Sequence, residues 1–216
     1  VGAYTEKTIF TDPDMSGYEP LAPSGGLSPF STTTVIWDDK KWPIKPEIVM
    51  EGGNVAKDPE GFCTECDDFS LLTTNHHPTQ RLFHVMNATS AACAQAAWMA
   101  AQIQAAYPDA WPETIRALLI HSAEWTDTMK RQFLDDETKK ISYLKLLRTC
   151  GYGVPNLQKA LFCGKHYLTL LVQNEIQPFD KIHESGKNTF KTKDMHLHEL
   201  PWPKETLLHR GDIQVK

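Results

Sequence analysis

The run from Ser90 to Ala106, SAACAQAAWMAAQIQAA, contains no glycine and no proline and is built almost wholly from alanine and other small or apolar residues. Alanine leads the helix-propensity scale, so the run predicts a helix. Tyr107-Pro108 ends it, because a proline disfavours helical backbone in the residue before it. With apolar residues on every side, the pattern offers no water-facing stripe and predicts a helix buried all round, with other elements packed about it. The hydroxyl pair Thr89-Ser90 stands at its mouth. A serine there sits near the positive end of the helix dipole, among backbone N–H groups that lack an intrahelical partner. Read in isolation, such a pair is first of all an N-cap, since Thr and Ser are preferred caps.

A chain of 216 residues, 41% hydrophobic, is long enough to bury a sizeable core. Its 22 basic and 27 acidic residues give a net charge of −5 and no basic stripe, which argues against a nucleic-acid partner. No apolar stretch approaches the roughly 20 residues needed to span a bilayer, which argues against a membrane partner. The first residues, VGAYTEKTIF, carry neither an initiator Met nor a signal-like pattern, and suggest a segment of a longer polypeptide. Cys63, Cys66, Cys93, Cys150 and Cys163 form no small disulfide framework and favour a reducing compartment, although export stays open.

Before Gln80 the chain reads as loops broken by strand-like runs, TTVIW at 33–37 and EIVME at 47–51. DAWPETIRALLIHSAEW announces a second helix, with Pro112 suited to its first position and Ile115, Leu118, Leu119 and Ser122 on one stripe. MKRQFLDDETKK reads as an exposed linker or frayed helix. ISYLKLLRTCGYGVPNLQKALFC gives a helix, a glycine-rich turn and another helix, and YLTLLVQNEI, starting at Tyr167, is a strand candidate. The final residues alternate Ile213 and Val215 as a strand would. The change of texture near residue 164 divides the chain into 1–163 and a β-rich 164–216.

Six stretches stand in a telling order: VGA at 1–3, PFS at 29–31, KPEIVMEGG at 45–53, ATSAACAQAA at 88–97, YPDAWPETIRALLIHSA at 107–123 and GYGVPNLQKAL at 151–161. Together they resemble the C-terminal half of the catalytic domain of a subtilisin-like serine protease, a subtilase, over about three quarters of the chain. The resemblance implies an α/β fold, part of a three-layer α/β/α arrangement around a parallel sheet, followed by the start of a β extension. It implies peptide-bond hydrolysis by a Ser-His-Asp triad on a polypeptide substrate. Ser90 matches the nucleophile, Thr89 precedes it in the nucleophile loop, and Ala92 takes the small position two residues on. Ala88 stands where the family has glycine, and Cys93 or Ala94 where it has proline. Gly52 and Gly53 fall where the family approaches its substrate-lining loop; a structural turn is the other reading of the pair.

Acyl transfer by a serine needs a base, an acid orienting that base, and donors for the oxyanion. The family's aspartate and histidine motifs and its oxyanion asparagine have no match here, so the chain is expected to lack them, to be inactive alone, and to partner the missing N-terminal part of the domain. A sheet without its N-terminal strands is expected to leave an open edge and apolar surface. The alternative is a non-catalytic module on the same fold.

Other constellations carry less. Cys63-Thr64-Glu65-Cys66 with His76, His77 and His84 has a zinc-like ligand set at irregular spacing, and reads as a loop with surface thiols and no metal. Subtilases commonly bind calcium, but no acidic loop is specific enough to assign it, and no cofactor is expected. His121 reads as a helix C-cap, Asn87-Ala88-Thr89 as a sequon too close to Ser90 to carry a glycan, and Trp98, Met99 and Ile103 as core.

Overall fold

The computed structural model describes residues 1–35, 43–136, 138–166, 171–184, 186–193 and 195–199. The chain forms two compact units, Val1–Phe162 and Cys163–Lys216. In the first, the strands are β1 (Gly2–Thr5), β2 (Glu19–Pro20), β3 (Gly26–Leu27), β4 (Val49–Glu51), β5 (Ala56–Lys57), β6 (Cys63–Thr64), β7 (Leu71–Thr74) and β8 (Phe83–Met86). The helices are α1 (Ala88–Ala106), α2 (Pro112–Ser122), α3 (Asp127–Phe133), α4 (Lys140–Cys150) and α5 (Leu157–His166), which runs past the end of that unit.

β1 lies between an antiparallel β3 and a parallel β4, with Gly2, Ala3 and Tyr4 opposite Val49, Met50 and Glu51. Alternation along these strands sends Val49 and Tyr4 to one face, where they meet Met129, Leu146 and Cys150 from α3 and α4. Ala3, Ile48 and Met50 point the other way, towards α1, which packs on β1 and β4 and is flanked by α2. Helices thus cover both faces, the α/β arrangement expected. The sheet is mixed, with one parallel pair. Loops add to it: Ala3 N–H, on the central strand, donates to Ser31 Oγ at 3.1 Å, and Val49 N–H, on the β4 edge, donates to Gly153 O at 3.0 Å in the GYG turn.

A smaller antiparallel sheet, β2-β5-β6, closes over Phe69, Ala56 and Cys66, with Phe10 packed 4.5 Å from Phe69. β7 and β8 form a two-stranded hairpin leading into α1. In the second unit β9 (Phe179–Glu184) and β10 (Lys187–Thr192) form another hairpin.

Three local expectations need correction. Thr33–Val35 of TTVIW belong to no strand, Ile36 and Trp37 falling outside the described residues. In YLTLLVQNEI, Leu171–Ile176 belong to no strand and 167–170 lie outside the described residues, as do Ile213 and Val215. Of the charged stretch expected as an exposed linker or frayed helix, Met129–Phe133 lie in α3, because Met129 is fully buried against Leu146 and Thr126 caps the helix through Met129 N–H at 3.0 Å.

The central helix also departs from its expected all-round burial. Ala92, Ala96, Met99 and Ile103 are buried on the sheet, whereas Ser90, Cys93, Ala94, Ala97 and Ala101 are exposed and Trp98 is 57% exposed. Periodicity settles that the helix is apolar; whether the rest of the unit reaches round it is a matter of tertiary packing.

Candidate active site

α1 starts where β4 ends. Ala88 N–H donates to Gly52 O at 2.8 Å, and Gly52 N–H to Tyr4 O at 3.0 Å, so one residue ties the first turn of the helix to the central strand. A Cβ on Gly52 would lie 2.4 Å from that of Ala3. At Gly53, where φ is +87°, it would lie 2.7 Å from Asn87 Oδ1 and 2.8 Å from Phe69 O. Only glycines let the strand end close on the helix start. Both are buried, and the polar groups of Gly53 are taken as well: its N–H donates to Glu51 Oε1 at 2.8 Å and its carbonyl accepts from Ser28 Oγ at 2.6 Å.

The surrounding residues brace this junction. Glu51 Oε2 accepts from Glu6 N–H at 2.6 Å, and the Glu51 carbonyl accepts from Gln95 Nε2 at 2.6 Å, about two turns into α1. Asn54 is fully buried. Its Nδ2 donates to Lys7 O and Ala22 O, each at 2.9 Å, and its Oδ1 accepts from Ala22 N–H at 3.0 Å and Val55 N–H at 2.9 Å. Asn87 is the N-cap, yet its side chain makes no capping bond, and its Oδ1 is buried without a hydrogen-bond partner against Gly53. Ala88 has φ +72°, the one positive φ outside glycine among the described residues.

Ser90 comes two residues later, exposed, with Thr89 half-buried beside it. Among the described residues the Ser90 hydroxyl has no hydrogen-bond partner, hence no base on it. The N–H groups of Thr89 and Ser90 lie in the first helical turn, where no i−4 carbonyl can reach them, and they add to the positive end of the dipole. The site as described therefore offers an accessible hydroxyl, backbone donors and a rigid mount.

Other titratable groups take no part in this. Tyr4 beside Glu51 is pushed up to about 12 by burial and by the charges of Glu6 and Glu51, so it stays protonated. Burial pushes the Cys150 thiol up to about 12 as well. Among the described residues no three His, Cys, Asp or Glu side chains are placed to hold a metal ion. Cys63 is exposed on β6, Cys66 packs as a small apolar group with Phe69, and His84 lies on the hairpin opposite Thr73. His121 is exposed in the last turn of α2.

The model of the subtilase family, peptidase S8, matches residues 1–153. The chain belongs to the subtilase family. At family level this domain is that of serine-protease hydrolases. It is similar to the uncharacterized protein y4bN of Sinorhizobium fredii, 30% identical over 178 residues that cover 78% of this chain and 39% of that protein. It is also similar to the subtilisin-like protease SBT1.5 of Arabidopsis thaliana, 30% identical over 100 residues covering 46% of this chain and 12% of the protease. The chain thus spans less than two fifths of the length of each of these relatives. No solved structure matches it.

Within this subtilase domain, four of the residues that build the junction escape a reading of the sequence: Glu51, Asn54, Asn87 and Gln95. A signal exists for Gln95, the one amide on the inward stripe of an alanine helix. None exists for Glu51, whose role depends on Glu6, just past the end of β1, being brought beside it.

Proposed function

We propose that this subtilase domain supplies the nucleophile of a serine endopeptidase, with Ser90 attacking the scissile carbonyl and the backbone N–H of Ser90 contributing to oxyanion stabilisation. The observation that carries the reading is the exposed Ser90 hydroxyl in the first turn of a helix whose start is pinned to Gly52. A neutral serine is a weak nucleophile, and a helix terminus stabilises an anion by only about 0.3–1 kcal/mol, or up to ~2 in a partly buried site. Loss of the base from a subtilisin triad costs about 10⁶ in turnover. The dipole cannot replace a base, so the histidine, the aspartate and a further oxyanion donor come from polypeptide upstream of Val1. In the same reading that upstream part packs on the exposed face of α1.

A fluorophosphonate probe tests this, since it labels activated serines. It should leave the 216 residues unlabelled and label a longer polypeptide carrying the upstream histidine and aspartate, with Ser90→Ala abolishing that labelling. Labelling that survives Ser90→Ala removes Ser90 from the role. The strained Ala88, in place of glycine, favours one second reading, a non-catalytic module on the same fold; absence of labelling in the longer polypeptide decides for it.

A further inference from the structure

The hairpin that delivers the chain to Ser90 carries exposed apolar side chains. Its register pairs Leu71 with Met86, Leu72 with Val85, Thr73 with His84 and Thr74 with Phe83. Residues alternate between faces, so Leu72, Thr74, Phe83 and Val85 share one face. On it Leu72 is 71% and Phe83 51% exposed, while Val85 is half-buried.

Both outer edges are open too. Asn75 N–H donates to Leu82 O at 3.0 Å, which fixes the alternation of the antiparallel ladder. The backbone groups of Phe83 and Val85 on β8, and of Leu72 and Thr74 on β7, therefore point away from the partner strand. Among the described residues no third strand joins either edge.

The charge is equally one-sided. From Phe69 to Pro108 there is no Asp or Glu, although the chain as a whole carries −5. The ionisable side chains of the hairpin are His76, His77, Arg81 and His84, all exposed, with the His76 and His77 rings 4.0 Å apart at the tip. Each offers N–H donors to a carboxylate, and the hairpin itself carries no acidic residue.

We propose that the β7–β8 hairpin is a docking arm for an extended, acidic and apolar polypeptide segment, which adds as a strand along the outer edge of β8. Apolar side chains of that segment lie on Leu72, Phe83 and Val85, and its carboxylates meet Arg81 and the three histidines. Main-chain pairing supplies affinity and the alternating side chains supply selectivity. Because β8 ends at Met86 and runs directly into Asn87–Ser90, the docked segment lies beside the proposed nucleophile. Its identification as the flank of a substrate rests on the reading of Ser90; its binding does not.

The test uses the 216-residue chain as Ser90→Ala, with fluorescein-labelled peptides alternating Val and Glu or Val and Lys, followed by anisotropy at about pH 6. The acidic peptide should bind at least about tenfold more tightly than the basic one, and Arg81→Gln should weaken it about tenfold. Phe83→Ser should weaken both peptides. A Val/Glu peptide N-methylated on alternate amides of one edge should lose binding with the protein unchanged, which separates strand addition from any effect of a variant on the fold. Equal binding of the two peptides overturns the proposal, as does indifference to both Arg81→Gln and N-methylation. Concentration-dependent pairing of the chain with itself, uncompeted by the acidic peptide, would assign the edge to a second copy and overturn it as well. Peptide binding in this assay together with labelling that survives Ser90→Ala would keep the arm and discard the nucleophile.

Discussion

Ala88→Gly isolates the strain at the start of α1. An L-residue in the left-handed region costs roughly 1–2 kcal/mol because its Cβ crowds the backbone, and Ala88 sits there at φ +72°. Glycine removes that cost and brings two smaller penalties. It frees the unfolded chain, at about 0.4–1 kcal/mol, and it deletes a half-buried methyl worth about 0.4 kcal/mol. The balance is a gain of about 0.5 kcal/mol, or about 1–2 °C in melting temperature for a unit of this size. So small a gain needs a control of opposite sign. Ala88→Val puts a β-branched side chain at the same φ and should lose at least about 1 kcal/mol. Urea unfolding at constant m-value measures both. Valine equal to alanine, with glycine more than about 1 kcal/mol worse, would show that position 88 is unstrained and that the Ala88 N–H to Gly52 O contact does not force the backbone.

Other perturbations test the junction and its surroundings. Gly53→Ala, at φ +87° with a Cβ 2.8 Å from the Phe69 carbonyl, should cost more than about 2 kcal/mol, and thermal unfolding at wild-type temperature would refute the close packing. Asn54→Ala strands Lys7 O, Ala22 O and the N–H groups of Ala22 and Val55, and should cost about 2–4 kcal/mol in urea; a loss under about 1 would mean that water replaces the amide. The Arg116 guanidinium beside Glu47 holds that carboxyl below the usual range. Its folded value is the lower one, so the stabilisation is present above the unfolded value of about 4.3 and is lost as pH falls through the folded value. Arg116 is exposed, so solvent screens the pair and its contribution is small. The stability gap between wild type and Arg116→Ala should therefore narrow between about pH 7 and pH 3, and a gap constant with pH would rule the ion pair out as its source.

How much of this is legible in the sequence depends on whether the relevant contact is local. The Pro112 start of α2, its Ile115–Leu118–Leu119–Ser122 stripe and the strand in EIVME follow from spacing and local chemistry, and all three are present. The strand expected in TTVIW fails because β propensity is mostly fitness for a pleated, half-buried surface, and Thr33–Val35 meet none. The charged stretch from Met129 reads as an exposed linker or frayed helix because its charges outnumber its apolar residues, while Met129, with Phe133 beside it, fixes α3 in the core. At the site, the ordered motifs single out Ser90 and the pair Gly52-Gly53, and the structure ties Ala88, two residues before Ser90, to Gly52. Nothing in that order announces that the Glu51 carboxylate takes the N–H groups of Glu6 and Gly53.

The division of α1 explains why a serine can be useful at this place. A nucleophile must be held still and must also be reached. Ala92, Ala96, Met99 and Ile103 lock one side of the helix to β1 and β4, and Gln95 stitches it to the Glu51 carbonyl, so the first turn cannot slide relative to the sheet. The opposite side, which carries Ser90, keeps only small side chains over its first two turns, Cys93, Ala94 and Ala97, before Trp98. Exposed methyl groups are a minor hydrophobic cost beside an exposed leucine or phenylalanine, so this side can stand open to water without a charged stripe. Alanine thereby serves both requirements: on the inward side it brings the helix backbone close to the strands, and on the outward side it leaves Ser90 unobstructed for a carbonyl and for the upstream residues proposed to activate it.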